Sequence, residues 1–382
     1  MNKGNYPTSP PVWQDRTQEP YYMDDSIKAI PGCIETCLES DFLCTIRSGI
    51  EKVKPARIFL VGCGTSFNAC EAVAYICRKI LGIPAEVYDA LDFEIDTPLG
   101  VDAQTLVISI SHTGQTLATC RASEKAKRLG AYIVGIASNP HSRLIKNASF
   151  GLTDPFPHET RPRGKIRSYH TSTLLGILAA LMAASSDNFP GEFVEDMKKV
   201  AQAIRQNLDT WGKVGRSIAA QWAPVTTHYM IAGFGVQKPN ADEFGLKIVE
   251  VLGESATNYS LEEITHGPGA SFRWDMGIVL FQTDPRSLER CLEIARGVAV
   301  SEAQLVVITD AASMAWPEKA NVISLPSVEK AELFSVFTAA AAAQNLLYFL
   351  AIEKGLNPDV NCLNIHPELA NVSAIFFPPG TH

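Results

Sequence analysis

The 382-residue sequence has no lysine- or arginine-dense segment long enough to follow a nucleic-acid backbone, and its net charge of −8 opposes polyanions overall. Partners are therefore expected among small molecules or proteins, not nucleic acid. Export is not expected either, because the opening MNKGNYPTSPPVWQDRTQEPYYMDD is polar and proline-rich where a secretory leader is cationic and then apolar. The longest apolar run, TAAAAAQNLLYFLAI from Thr338 to Ile352, is short for a membrane span and carries Gln344 and Asn345, so it is read as a core helix and no membrane partner is expected. Cysteine is present but unpatterned: nine residues, scattered singly, with no Cys-x2-Cys pair. That usage fits a reduced, cytoplasmic protein better than a disulfide framework. Cys33, Cys37 and Cys44 form the one cluster, but their spacing suits no zinc ribbon and no histidine lies close in sequence, so they are read as structural thiols and no metal is expected.

What is there is a core-forming composition, 46% hydrophobic, arranged as strand, turn and helix in repetition. An opening helix is expected over 25–53. Strands follow at 56–61, 86–90, 105–110 and 132–137, with helices at 67–81, 116–129 and 168–185. Short continuous apolar runs such as TLVISI and YIVGIA suit parallel strands covered on both faces. A long amphipathic segment, 191–222, separates this half from a second series: HYMIAGFG at 228–235, a helix 240–253, strands GIVLFQT and QLVVIT around a helix 287–302, then NVISLP and a helix 330–354. Two successive halves that each open with strand-Gly-x-Gly predict an α/β protein duplicated from one doubly wound, flavodoxin-like parallel sheet, with ligands beyond the carboxyl ends of the strands.

The turn after the first strand, VGCGTSFNAC at 61–70, places two glycines, then Thr65 and Ser66, at the start of a helix, where backbone N–H groups and the helix dipole favour an anion. The central strand ends in SHTGQT at 111–116, again hydroxyl-rich and again before a helix. Side by side, the two turns can ring one phosphate with Ser66, Ser111, Thr113 and Thr116, although plain helix capping accounts for SHTGQT as well. No Gly-Lys-[Ser/Thr] follows, which excludes a P-loop, and the third glycine of a dinucleotide fingerprint is missing.

GCGTSFNACEAVAYICRKILGIPAEVY with SISHTGQT, and GFGVQKPNADEFGLKIVEVLGESATNYSLEEITHGP, resemble the sugar isomerase (SIS) domains of the isomerase half of glucosamine-6-phosphate synthase and of related sugar-6-phosphate deglycases. The resemblance covers roughly 25–366. It implies two tandem SIS domains, each a three-layer sandwich, a sugar-phosphate ligand, no cofactor, and a homodimer with its active site at the subunit interface. The expected layout is an arm at 1–24, a first SIS domain at 25–205 with the anion loops, a second at 206–360 with the catalytic helix, and a tail at 361–382 closing the site. By the same resemblance Gly64, Thr65, Ser66, Ser111, His112, Thr113 and Thr116 bind phosphate, Glu243 and Lys247 line the sugar, and Glu250 moves a proton between C1 and C2. His266 in THGP assists ring opening from the neighbouring subunit.

The residues support this chemistry on their own terms. Isomerisation through an enediol needs one carboxylate that takes a proton from one carbon and returns it to the next, plus an acid/base at the ring oxygen. Glu243, Lys247 and Glu250 fall at i, i+4 and i+7, so they share one helix face, where the lysine favours ionised carboxylates. An exposed ion pair is the plainer account of the same spacing.

The chain departs from the family in three ways. No glutaminase segment precedes residue 25 and no cysteine follows Met1, so glutamine-derived ammonia is not expected. No lysine follows Lys354, and His366 stands near the place where the synthase tail supplies one. The segment HETRPRGKIRSYHTST at 158–173 is basic, and Arg163 or Arg167 is a candidate for the substrate's distal phosphate or sulfonate. The expected function is an aldose–ketose isomerase for a hexose with an anionic C6 group. The alternatives are a fructosamine-6-phosphate deglycase, which would share Glu250 and His266, and a sensor without catalysis, for which the charged set would be unnecessary.

Overall fold

The structure, a computed structural model, describes residues 15–156, 159, 162, 164–184 and 191–360, with 372, 375, 376 and 378 beyond them. Where one opening helix is expected there are two, α1 (Tyr22–Cys37) and α2 (Ser40–Ile50), because Glu39 takes extended backbone (ψ 138°) between them. The first amides of α1 find their acceptor far away: Tyr22 and Met23 donate to the Asp359 carboxylate at 2.9 and 2.8 Å.

The first half then runs β1 (Arg57–Gly62), α3 (Thr65–Leu81), β2 (Ala85–Asp89), α4 (Ala90–Ile95), β3 (Thr105–Ile110), α5 (Leu117–Arg128), β4 (Tyr132–Ala137), α6 (Arg143–Asn147), β5 (Phe150–Thr153) and α7 (Arg167–Ala184). The second runs α8 (Gly191–Trp222), β6 (His228–Gly233), α9 (Lys238–Leu252), β7 (Ser255–Ser260), β8 (Met276–Gln282), α10 (Leu288–Val300), β9 (Gln304–Thr309), β10 (Ala320–Ser324) and α11 (Ala331–Glu353). Each half holds a five-stranded parallel sheet, in orders β2-β1-β3-β4-β5 and β7-β6-β8-β9-β10, which are the same flavodoxin-like order twice.

Alternation along the strands divides the core. In the first sheet Ile58, Leu60, Leu106 and Ile108 face one side while Phe59, Val61 and Val107 face the other, against Phe93 of α4 and Ala122 of α5. In the second sheet Tyr229, Ile231, Val279 and Phe281 join the same core as Leu60 and Ile108, and Ile278, Leu280 and Val307 pack against α10. One apolar core therefore lies between the two sheets, filled by α7, α8 and α11. Residue 205, the expected boundary, falls inside the continuous helix α8.

Helix α11 has the length and composition to cross a bilayer, yet 94% of its apolar window is buried inside the protein. Among the described residues the cysteines are unpaired; Cys33 and Cys37 are buried, Cys44 is exposed, and no three His, Cys, Asp or Glu side chains converge as a metal site.

Candidate active site

The first turn is built by glycine. A Cβ on Gly62 would stand 2.8 Å from the Ser66 backbone, and Gly64 has φ +56°, so the chain doubles back tightly from β1 into α3. Thr65 and Ser66 open α3, where the earliest amides of a helix lack intrahelical acceptors. The second turn follows β3, the neighbour of β1, so both lie at the carboxyl edge of the first sheet. Gly114 (φ +67°) turns it, with its N–H donating to Ser111 Oγ at 3.1 Å. Thr116 stands at the N-cap of α5 without capping it, and its hydroxyl lies 3.1 Å from Ser111 Oγ instead. Capping by Thr116 is therefore not what SHTGQT is for. The Thr113 hydroxyl accepts from Gln115 N at 3.2 Å, and His112 Nε2 faces the Glu159 carbonyl at 3.4 Å.

Helix α9 brings the charged set to the first turn. Lys247 Nζ donates to Thr65 Oγ1 at 2.8 Å and to Glu250 Oε2 at 2.6 Å, and lies 3.5 Å from Glu243 Oε1. Glu243 accepts from the Thr65 hydroxyl (3.1 Å) and from Asn68 Nδ2 (2.8 Å). Glu243 and Lys247 are buried, whereas the Glu250 side chain keeps 28% exposure. An exposed ion pair does not describe this arrangement. Burial pushes the Glu243 carboxyl up to about 7, against the lowering pull of Lys247 and Asn68. Burial pushes Lys247 down, but the two carboxylates outweigh it and raise its pKa.

The other expected residues are placed differently. His266 lies in the segment after β7, two-thirds exposed, with Nε2 at 3.3 Å from Glu262 Oε1, and it makes no hydrogen bond to Glu243, Lys247 or Glu250 within the chain. Arg167 does not reach outward. It is buried, with Nε 4.0 Å from Glu159, Nη1 3.8 Å from Cys33 Sγ, and its guanidinium over the Phe156 ring. Packing at the start of α7 takes up its planar face. Arg163 and His366 lie outside the described residues.

Sequence reasoning missed Asn68, one turn beyond Thr65 on α3, which that periodicity could have flagged, and Glu159, the acid within the basic segment. It also missed a carboxyl pair. Glu71 faces Asp242 in a cleft of ≈560 Å³ between α3 and α9, and burial followed by Asp242 raises the Glu71 carboxyl to about 7, with Lys238 opposing. That cleft borders the first turn through Gly64 and Asn68, but Lys247 and Glu250 lie outside its lining, so the hydrogen bonds define the site better than this cleft does.

Residues 51–184 match the SIS domain family. A glutamine–fructose-6-phosphate aminotransferase (isomerizing) of Gloeobacter violaceus is 29% identical over 357 residues, 89% of this chain and 57% of the relative, and that of Aquifex aeolicus is 27% identical over 79% of this chain and 50% of its own length. The chain thus spans about half the length of the curated relatives it matches. Among solved structures, the C-terminal domain of glucosamine-fructose-6-phosphate aminotransferase from Francisella tularensis superposes with TM-score 0.78 at 21% identity, covering 91% of this chain and 99% of that one. Tagatose-6-phosphate ketose/aldose isomerase from Escherichia coli gives 0.77 at 21%, covering 93% and 99%. The chain carries a SIS domain, is homologous to the aminotransferases along most of its length, and has the fold of these two structures.

Proposed function

We propose that the chain is an aldose–ketose isomerase for a hexose with an anionic group at C6, built from two tandem SIS domains joined through α8. One observation carries the reading: Thr65, in the first half's anion turn, hydrogen-bonds both Glu243 and Lys247 of the second half's helix. The grip for a charged tail and the groups for proton transfer thus share one hydroxyl. Relatives named for sugar phosphates lend support.

In the proposed reaction the C6 anion sits on the hydroxyls and amides of the turns at 64–66 and 111–116. Glu250 takes the proton from C2 of the open-chain aldose as the carbonyl oxygen at C1 gains one, giving the enediol. The C2 hydroxyl then loses its proton and Glu250 returns its own to C1. Lys247, donating to Glu250, orients its carboxylate for the first step. His266 is proposed to act from a second copy in a homodimer, since within its own chain it turns toward Glu262.

Product NMR in D2O tests this with glucose 6-phosphate, fructose 6-phosphate, their 6-sulfo counterparts and fructose-lysine 6-phosphate. Deuterium at C2 without amine release is expected, and Glu250→Gln should abolish it while ligand still binds. Release of free amino acid would make the chain a deglycase; turnover surviving Glu250→Gln would remove the assigned base.

A further inference from the structure

The described part of segment 159–168 is tied down by one buried carboxylate. Glu159 is 3% exposed and accepts from the Ser26 hydroxyl on α1 and from the backbone N–H groups of Ile166 (3.3 Å), Arg167 (3.2 Å) and Ser168 (3.1 Å), where α7 begins. Burial pushes this carboxyl up, but Arg167, Lys165, His112 and the Ser26 hydroxyl outweigh it and hold it below its ordinary value. The Glu159 carbonyl takes the Lys165 ammonium at 2.5 Å and faces His112, in the second anion turn, at 3.4 Å. Gly164, in the same segment, backs onto α9: a Cβ there would stand 3.2 Å from Val251 Cγ2 and 3.4 Å from Glu250 Oε2. The segment touches the anion turn at one point and the proposed base at another.

We propose that Glu159 is a positioning residue that holds residues 164–168 as a wall between the second anion turn and Glu250. Its anchoring thereby sets how a substrate's C6 anion and its C1–C2 end are spaced. The proposal rests on the isomerase reading above for what the wall encloses. A carboxylate is required because every group aimed at it is a donor or a cation; a glutamine amide would turn an N–H toward other N–H groups. Lys165 and Arg167 then serve the anchor, not the ligand.

Titration of the full chain with sorbitol 6-phosphate, beside deuterium exchange into fructose 6-phosphate, tests this in Glu159→Gln, Glu159→Asp and Ser26→Ala, with circular dichroism reporting the fold. Folded Glu159→Gln is expected to bind about tenfold more weakly, with KM rising in parallel and kcat falling. Glu159→Asp should recover part of that loss, and Ser26→Ala should show a smaller one in the same direction. A folded Glu159→Gln with the Kd and KM of wild type and only a fall in kcat overturns the proposal, because capping of α7 alone lowers the active fraction and moves neither constant. Should Glu159→Gln not fold, Ser26→Ala decides: raised constants support the role and unchanged ones overturn it. Wild type that binds sorbitol 6-phosphate without exchanging deuterium defeats the isomerase reading and leaves Kd to judge Glu159. Wild type that binds nothing defeats both.

Discussion

Lys247 joins three partners from two halves of the chain, Thr65, Glu243 and Glu250. Removing it as Lys247→Met leaves a buried Glu243 without its cation, a loss on the order of 3 kcal/mol where that carboxyl must ionise. The sign follows from the Glu243 pKa, raised from an ordinary 4.5 to about 7 in the folded chain. A carboxyl that holds its proton more tightly when folded contributes most below 4.5, and that contribution is lost as pH rises to 7. Without the cation that carboxyl titrates higher still, so the gap in urea midpoint between Lys247→Met and wild type should widen only as pH rises past about 7, where wild-type Glu243 ionises and the variant's stays protonated; a constant gap would separate Glu243 from the effect. The 4.5-to-7 window also predicts an ascending limb near pH 7 in the exchange rate, absent in Glu243→Gln, measured as a pH–rate profile. At this scale the sequence disclosed the i, i+4, i+7 face of α9. It could not disclose Thr65 or Asn68 as partners, because those contacts close loops of 178 and 175 residues and exist only once the halves have docked. The burial of Arg167 was hidden for the same reason, its neighbour Cys33 being 134 residues away.

The elements show where periodicity is a sufficient guide. Strands β3, β4 and β9 stand at their expected bounds because buried parallel strands carry uninterrupted apolar runs. The unexpected strands, β5 and β7, are both at sheet edges: β5 has four residues of which only Leu152 is fully buried, and SATNYS of β7 is polar because it is largely half exposed. Helix α7 adds a pH response of the opposite sign. His170 is buried, with Nε2 3.1 Å from Gln344 Oε1 and Nδ1 lacking a hydrogen-bond partner, and burial lowers it from 6.5 to about 4. A histidine kept neutral in the fold contributes stability above 6.5 that is lost as pH falls toward 4, so urea midpoints should drop across that window and drop less in His170→Asn. In the segment before α7, Gly164→Val places a branched side chain against Val251 and Glu250. Exchange should fall several-fold while sorbitol 6-phosphate binding changes little, since the crowding is at the Glu250 end; equal losses in both would mean that the substitution moves the whole segment.

At the scale of the molecule, the sequence repetition correctly announced two sheets of one topology, each half opening with a strand and a Gly-x-Gly turn. It did not announce that the halves share their interior. Helix α8 runs unbroken through residue 205, Trp211 and Trp222 are buried along it, and the strands of both sheets feed the same core. Unfolding monitored by far-ultraviolet circular dichroism and by tryptophan emission should accordingly give coincident transitions. Two separated transitions would show that the halves melt independently.

Helix α11 completes that interior last. Until Glu353 has left the ribosome, the faces of α8 and of the second sheet that it covers have nothing to rest on, and the stretch itself is apolar enough for a bilayer. Between synthesis and docking, chaperones and membranes therefore compete with the waiting groove for the same helix.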